Sequence, residues 1–232
     1  MPNRYLVIFL YLFIPLYGFS QQTLKVTKKV SDDVKEVYHV LASDGRTKTG
    51  LYQAFYKNKT VVANGGYSNG KRTGVWQFYN RNGKVVQSYN FDRNQLYYEA
   101  PEDTTSSLHY AVDKQLDSAS VVTKPVKIGG VYFGYLPYVS LFKIPGQLSE
   151  LNRDAMTAVV ELLISPGGRL ADYKVHLYYT VLAQNVAEIP MNLKLPDPND
   201  LTFTPATLNG VPITSRVLIR CKVKSNGRLD FN

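Results

Sequence analysis

Two copies of one short pattern, 24 residues apart, constrain the fold of this chain more than any other feature. The first copy begins at Gly50 and reads Gly-Leu-Tyr-Gln-Ala-Phe-Tyr, and the second begins at Gly74 and reads Gly-Val-Trp-Gln-Phe-Tyr. A period of this length is a signature of repeat architectures. Each copy predicts a β-hairpin with a row of aromatic side chains on one face. Because a single hairpin is only marginally stable, the copies are expected to pair into one sheet.

The residues that follow each glycine extend the pattern. A polar turn and a β-branched pair lead to an aromatic residue, Tyr67 in the first copy and Tyr89 in the second. Between the copies, Asn69-Gly70 is typical of a type I′ hairpin turn. This unit resembles the MORN-type repeats, in the variant found in a family labelled antitoxin, over residues 36–98. The resemblance implies stacked hairpins with an aromatic core, and we expect Trp76 to belong to that core.

The C-terminal half predicts two strands and a helix. Apolar and polar residues alternate over residues 160–164, which indicates a strand with one buried face. Pro166-Gly167-Gly168 reverses the chain, and a second strand follows over residues 170–179. Residues 181–189 have apolar side chains at helical spacing and are followed by Pro190, so they predict a helix that ends there.

The remaining landmarks of this half come in a fixed order. Phe203-Thr204-Pro205-Ala206 precedes a tight turn at Asn209-Gly210, and a last strand is predicted over residues 213–223. This order, with the strands before it, resembles the C-terminal domain of TonB, the periplasmic energy transducer of Gram-negative bacteria, over residues 120–225. The resemblance implies a small antiparallel sheet with one packed helix. The lead-in helix of that family corresponds to residues 131–142, which a glycine and a proline interrupt, so an irregular segment is expected there.

These patterns together predict a mainly β protein with an α+β part. An N-terminal domain of β-hairpin repeats is expected over residues 21–98 and a linker over residues 99–119. A TonB-like domain, with an antiparallel sheet and one packed helix, is expected over residues 120–232. The segment after the last predicted strand, residues 224–228, has the composition of a polar tail.

The first 20 residues predict export. Arg4 precedes an apolar run without charges, and Gly18 and Ser20 are the small residues of a cleavage site before Gln21. We therefore expect a cleaved signal peptide and a location in the periplasm or cell envelope of a Gram-negative bacterium. An uncleaved membrane anchor is the alternative, but the run is shorter than the ~20 apolar residues that a spanning helix needs.

The charge of the chain lies mostly in its N-terminal half. The net charge is +9, and residues 21–100 carry 13 basic and 6 acidic side chains. Such a field favours anionic partners, for example acidic glycans, lipid headgroups or an acidic protein surface. Nucleic acid is not an expected partner of an exported protein. The alternative is that these residues only solvate turns. The candidate anion-binding residues are Lys57, Lys59, Lys71, Arg72, Arg81 and Lys84.

The sequence contains no recognisable enzyme motif. Its three histidines are far apart, and none forms a pair with metal-ligand spacing. The Gly-x-Ser-x-Gly motif and a phosphate-binding glycine loop are both absent. The only cysteine, Cys221, alternates with Arg220 and Lys222 and is expected on the buried face of a strand. We therefore expect no catalysis, no cofactor and no metal site.

The predicted function is that of an envelope protein-interaction module. A TonB-like domain would bind an extended peptide or an envelope or outer-membrane protein by adding a strand to a free sheet edge. The last strand is the expected edge, and its candidate contact residues are Ile213, Arg216, Leu218, Ile219, Arg220 and Lys222. One alternative is an energy transducer for outer-membrane transport, which needs an anchor and a proline-rich spacer, whereas the 12 prolines are scattered. Another is an anion- or glycan-binding protein that uses the basic repeats.

Overall fold

The computed structural model describes residues 21–101, 106–148, 150, 152–181 and 184–231. The predicted signal peptide, residues 1–20, lies outside the described residues. The described chain is mainly β, as predicted, with two large antiparallel sheets, a two-stranded sheet and one short α-helix.

The first sheet, which we call the repeat sheet, has seven antiparallel strands that pair in chain order. Its strands are β1 (Thr23–Lys29), β2 (Val34–Leu41), β3 (Lys48–Tyr56), β4 (Thr60–Ser68), β5 (Lys71–Tyr79), β6 (Val85–Asn90) and β7 (Gln95–Glu99). Asn69 and Gly70 both have positive φ between β4 and β5, as the predicted type I′ turn requires.

The 24-residue period is visible in the backbone and in the packing. Gly50 and Gly74 have φ of 70° and 66°, a left-handed conformation that glycine adopts without strain. Two residues after each glycine comes a fully buried aromatic side chain, Tyr52 in β3 and Trp76 in β5. Their ring centroids are 5.0 Å apart. The prediction that Trp76 belongs to the core is confirmed.

The second aromatic residue of the second copy is not the one that the sequence pattern predicted. Tyr67 packs against Tyr52 with ring centroids 5.6 Å apart, and Phe91 packs against Trp76 at the same distance. The counterpart of Tyr67 is therefore Phe91, and the prediction of Tyr89 was wrong by two residues. Tyr89 lies beside Phe91, with ring centroids 4.8 Å apart.

The second sheet and the two-stranded sheet are formed by the rest of the chain. Their strands are β8 (Leu108–Val112), β9 (Met156–Ile164), β10 (Leu170–Tyr179), β11 (Asn185–Pro190), β12 (Ala206–Leu208), β13 (Val211–Ile213), β14 (Ser215–Val223) and β15 (Leu229–Phe231). The second sheet has the order β11-β10-β9-β14-β15, and β8 also pairs with β14. β12 and β13 form the two-stranded sheet around the predicted Asn209-Gly210 turn.

The predicted helix over residues 181–189 was wrong, because this part of the chain contributes strand β11. Ile189 pairs with Val175 and Ala187 pairs with Leu177, so β11 extends the second sheet beside β10. A short apolar run is compatible with both helical and strand periods, and here pairing with a neighbouring strand decides the outcome.

The only α-helix of the described residues comes from the stretch that was expected to be irregular. A π-helical turn, Gly130–Tyr135, leads directly into α1 (Leu136–Ser140), which has Pro137 in its first turn, where proline is tolerated. This segment lies between the sheets. Phe133 contacts Trp76 of the repeat sheet at a ring distance of 5.8 Å, and Tyr138 contacts Tyr173 of the second sheet at 5.8 Å.

Two segments that were predicted to connect or end domains contribute strands instead. The predicted linker contains β8, which pairs with β14 from Leu108 to Val112. Residues 224–228 form a turn rather than a tail, because β15 follows them and pairs with the end of β14. The buried apolar residues of both halves form one cluster. Separate folding of the two halves stays a prediction.

Candidate functional site

The strand that was expected to be a free edge lies inside the second sheet. β14 pairs with β9 from Ser215 to Lys222 on one side. On its other side it pairs with β8 and then with β15. No stretch of β14 is therefore open to an added strand. The prediction was wrong because sequence order does not reveal strand order, and both an earlier and a later segment cover this strand.

The candidate contact residues of that strand have structural roles. Arg216 donates from Nε to Glu161 Oε1 at 2.8 Å and binds Asp113, the residue that follows β8. Ile219 is fully buried in the core, and Leu218 lies between Glu161 and His109 in the ladder. Arg220 and Lys222 are exposed, and Ile213 belongs to β13 rather than to β14.

The six candidate anion-binding residues divide between the two ends of the repeat sheet. Lys57 and Lys59 lie at the turn between β3 and β4, and Arg81 and Lys84 lie at the turn between β5 and β6. Lys71 and Arg72 lie at the opposite end, where β5 begins, and both line a large cavity.

That cavity belongs to a cleft between the repeat sheet and the rest of the molecule. The cleft has two chambers of about 550 and 600 Å³. One wall is the inner face of the repeat sheet, and the other is formed by the segment before α1 and by the loop before β12. The residues that line both chambers are Lys48, Arg72, Lys127, Ile128, Asp197 and Asn199.

Lys48 presents an unpaired cation to this cleft. Its Nζ lies 4.4 Å from the ring centroid of Tyr38, 5.0 Å from that of Tyr67 and 5.4 Å from that of Tyr52. Among the described residues, no carboxylate is within ion-pairing distance of this ammonium group. Burial lowers the pKa of Lys48, and the nearby Glu36 carboxylate opposes that shift. An ammonium group that is half-buried and contacts only ring faces still has donors available for a ligand.

Arg72 is the counterpart of Lys48 in the next repeat, 24 residues later. Its guanidinium lies 5.5 Å from the ring of Trp76, 5.3 Å from that of Phe91 and 5.1 Å from that of Phe133. Each copy thus has a cation two positions before its glycine, and this cation lies over the two aromatic rings of the same copy. Lys48 lies over Tyr52 and Tyr67, and Arg72 lies over Trp76 and Phe91. The cationic wall of the cleft is a product of the repeat.

Lys127 faces the cleft from the opposite wall and is already bound. Its Nζ donates to the carbonyl oxygens of Asn199 at 2.6 Å and of Thr202 at 3.2 Å, and it lies 3.6 Å from Asp200 Oδ1. Burial lowers the pKa of Lys127 to about 8, although Asp200 opposes the shift. Burial also raises the pKa of Asp200. This lysine therefore fixes the loop that closes the cleft.

The Tyr52 hydroxyl is a buried polar group on the same wall. It is fully buried beside the Glu36 carboxylate, and it makes no hydrogen bond of good geometry to any described residue. Burial, together with the charge of Glu36, raises the pKa of Tyr52 well above its ordinary value. Buried hydroxyl groups nearly always have a partner, so an unpaired one beside a cavity indicates a contact for a ligand.

The arrangement fits binding of an anion better than stacking of a sugar ring. Lys48 and Arg72 already cover the faces of the aromatic residues, and Trp76 has no exposed surface. Lys48, which has no ion-pair partner, Arg72, which has only the long contact with Asp197, and the Tyr52 hydroxyl face a cleft that Glu36, Asp197 and Asp200 also line. In the described part of the chain, no group of three or more His, Cys, Asp or Glu is arranged to hold a metal ion.

The sequence could have revealed part of this site. Lys48 and Arg72 were detectable, because both stand two residues before the repeated glycine, although only Arg72 was predicted. The repeat pattern predicts an aromatic core that includes Tyr52, but it does not indicate what its hydroxyl contacts. Lys127 and Asp197 lie on the opposite wall, far from the repeats in sequence, and nothing in the repeat pattern indicates them.

Comparison with protein-family models, curated proteins and solved structures finds no match to this chain. The resemblances to MORN-type repeats and to the C-terminal domain of TonB therefore rest on residue patterns and stay hypotheses. No helix within the described ranges is long and apolar enough to cross a membrane.

Proposed function

We propose that this chain is a non-enzymatic binding module of the cell envelope, and that it holds a small anionic ligand in the cleft between its sheets. The observation that carries the proposal is the Lys48 ammonium, which lies among three tyrosine rings without a carboxylate partner in the described residues. A chamber of about 550 Å³ is within the usual range for small-molecule sites. The cellular location follows from the predicted signal peptide.

The repeat explains why the site has two cations. Lys48 and Arg72 extend from adjacent copies into one cleft, and the Tyr52 hydroxyl lies below them. An anion with two acceptor groups can bind both cations. Each charge-assisted hydrogen bond contributes about 1.5–3 kcal/mol, so loss of one cation is expected to weaken binding about 10- to 100-fold.

The only tryptophan of the chain provides the measurement. Trp76 lies under Arg72, so a ligand that moves the guanidinium should change the fluorescence of the indole. The protein is titrated with glutarate, citrate, phosphate and sulfate, and affinities are compared for Lys48→Met and Arg72→Met. Lys59→Met and Lys84→Met are the matched controls, because they remove the same charge from exposed turns at the far end of the sheet.

We expect saturable binding of at least one anion, strong weakening in the two cleft variants and little change in the two controls. Equal weakening in all four variants would mean that only the net charge matters. Absence of saturable binding by the folded wild-type protein would refute the proposal.

A second candidate function is capture of an extended acidic peptide at β1. This strand pairs with β2 along all seven residues and has no partner on its other side in the described chain. It carries Lys25, Lys28 and Lys29, and six of its seven residues are exposed. The basic edge would discourage pairing between copies and attract an acidic strand.

The hydrogen-bond pattern supplies a precise test of this second function. The Ala42 N–H donates to the Gln22 carbonyl, so the backbone N–H and C=O groups of every second residue from Gln22 onward point toward β2. The backbone amides of Lys25 and Thr27 therefore point outward. Thr27→Pro removes an outward donor and leaves the ladder with β2 in place. It should abolish binding of a labelled peptide of alternating Glu and Val, whereas Thr27→Ala should not. Undiminished binding by folded Thr27→Pro would exclude this edge.

A further inference from the structure

The cleft already contains one carboxylate opposite its arginine. Asp197 Oδ2 lies 3.6 Å from an Arg72 terminal nitrogen, which is too long for a good hydrogen bond. The other oxygen, Oδ1, accepts from the backbone N–H and from the side-chain amide of Asn199, both at 2.9 Å. The carboxylate is thus held by its own loop and only weakly by Arg72.

The loop is fixed at its base and open at its tip. Lys127 binds the carbonyl oxygens of Asn199 and Thr202, and the Tyr138 hydroxyl donates to the Asp200 carbonyl. The side chain of Asp200 is 14% exposed, whereas that of Asp197 is 42% exposed. Asp197 can therefore leave Arg72 by a local change, while the contacts at the base of the loop remain.

We infer that Asp197 is an internal competitor for the ligand, and that the natural ligand carries a carboxylate that replaces it on Arg72. This inference rests on the proposed function. Arg72 and Asp197 both line each chamber, so their contact lies where the two chambers meet. In the free protein the Arg72 guanidinium is paired with the carboxylate of Asp197. Because a planar guanidinium suits carboxylates, a carboxylate of the ligand can bind it in the place of Asp197.

The chemistry of the cleft excludes a neutral ligand from this role. Arg72 loses its carboxylate when Asp197 moves away, Lys48 already has none, and a half-buried cation without a partner is costly. A dicarboxylate that spans the two cations replaces the lost contact on Arg72 and adds one on Lys48. A dicarboxylate therefore replaces Asp197 on Arg72 and leaves neither Arg72 nor Lys48 without a negative partner.

The test compares Asp197→Asn with Asp154→Asn in the full-length folded protein. Asparagine at position 197 keeps a side-chain oxygen that can accept from Asn199 and loses the charge that faces Arg72. Asp154 is exposed and lies outside the cleft, so its variant controls for net charge. Affinities for glutarate, sulfate and phosphate are measured by Trp76 fluorescence and by calorimetry.

We expect Asp197→Asn to bind glutarate two- to fivefold more tightly than wild type, the factor that corresponds to one partly exposed ion pair. Asp154→Asn should bind as the wild type does, and glutarate should bind more tightly than sulfate or phosphate. Unchanged glutarate affinity in Asp197→Asn, with binding still lost in Lys48→Met, would overturn the competitor role and leave the proposed function standing. Tighter binding of sulfate or phosphate would overturn the carboxylate class. Absence of binding in every variant would refute both proposals.

Discussion

Gly65 lies directly against the face of Trp76, and no other residue type fits at that position. A Cβ atom on residue 65 would lie 2.2 Å from Cδ2 of the indole. The ring cannot move away, because Trp76 is fully buried and its Nε1 donates to the Gly66 carbonyl at 3.1 Å. The missing side chain in β4 therefore makes room for the largest side chain of the repeat core.

The first prediction follows from this contact. Gly65→Ala should destabilise the protein by about 2–3 kcal/mol, because overpacking forces the backbone or the indole out of place. Gly66→Ala is the control, since its Cβ would have 3.9 Å to the nearest atoms and should change stability by less than about 1 kcal/mol. Urea unfolding of both variants checks the prediction. Equal stability of the two variants would show that the sheet adapts to the added methyl group.

The second prediction concerns the division of the chain into halves. Phe133 packs on Trp76 and Phe78 of the repeat sheet at 5.8 and 5.4 Å, although it belongs to the C-terminal half. A single proteolytic cut in residues 101–106 should therefore leave two fragments that stay together in size-exclusion chromatography. Fragments that separate and remain folded would show that the halves are independent domains.

The third prediction concerns an ion cluster that joins the two sheets. Lys224 Nζ lies 3.3 Å from Asp33 and 3.4 Å from Asp230. Burial raises the pKa of Asp230, although Lys224 opposes the shift. Burial also acts upward on Asp33, but the hydrogen bond and charge of Lys224 outweigh it, so the pKa of Asp33 is lowered.

The sign of the pH effect follows from these directions. Because the pKa of Asp33 is lowered in the folded protein, its carboxylate stabilises the fold at pH values above the pKa that it has in the unfolded chain. This contribution is lost as the pH falls. The raised pKa of Asp230 acts in the opposite sense, because its charged form is disfavoured in the fold. Without Lys224 both carboxylates lose their nearest cation, so Lys224→Met should cost about 1 kcal/mol at pH 7 and less at about pH 4. Chemical unfolding at both pH values is the measurement, with Lys194→Met as control because Lys194 is exposed and lies outside the cluster. An equal cost at both pH values would contradict the role of the cluster.

The sequence predicted those elements whose information is local. Alternation over residues 160–164 gave a strand, and Cys221 is buried in β14 as expected, where burial raises the pKa of its thiol. The glycine repeat predicted the repeat sheet and its aromatic core. In each case the side-chain period or the turn residues fix the local structure without reference to distant parts of the chain.

The failures came from properties that depend on distant pairing. The strand order of the second sheet depends on β8 and β15, which are short and resemble a linker and a tail in sequence. Residues 185–190 form a strand because β10 offers an edge, and that edge is not visible in the local pattern. The candidate site was half predicted for the same reason, since the repeats place Lys48 and Arg72 but not the loop that carries Asp197.

The fourth prediction concerns Lys127, which fixes this loop. Lys127→Met should destabilise the protein by about 3 kcal/mol, because it leaves the Asp200 carboxylate without its cation and the carbonyl oxygens of Asn199 and Thr202 without this donor. The lowered pKa also predicts a pH dependence. Between about 8 and the ordinary value of 10.5, the folded protein has released this proton and the unfolded chain has not, so the contribution of Lys127 to stability increases with pH.

Unfolding measured at several pH values above 8 checks this sign. The stability of the wild type relative to Lys127→Met should increase over that window, whereas the titration of other groups is common to both proteins. A difference that stays constant with pH would show that Lys127 keeps its ordinary pKa and is more hydrated than its contacts indicate.

The last prediction separates the two roles that the Tyr52 side chain combines. Its ring belongs to the core of the repeat sheet, whereas its hydroxyl is buried without a partner among the described residues. Tyr52→Phe should leave the free energy of unfolding unchanged or raise it by about 1 kcal/mol, because an unpaired buried hydroxyl is removed and the ring is kept. The same change should weaken glutarate binding about 2- to 10-fold if the hydroxyl contacts the ligand. Tyr79→Phe is the matched control, since the Tyr79 hydroxyl donates to Gln77 outside the cleft. A stability loss in Tyr52→Phe would indicate that the hydroxyl is paired in the free protein, with Glu36 as the nearest charged candidate, and would remove one of the three groups on which the anion site depends.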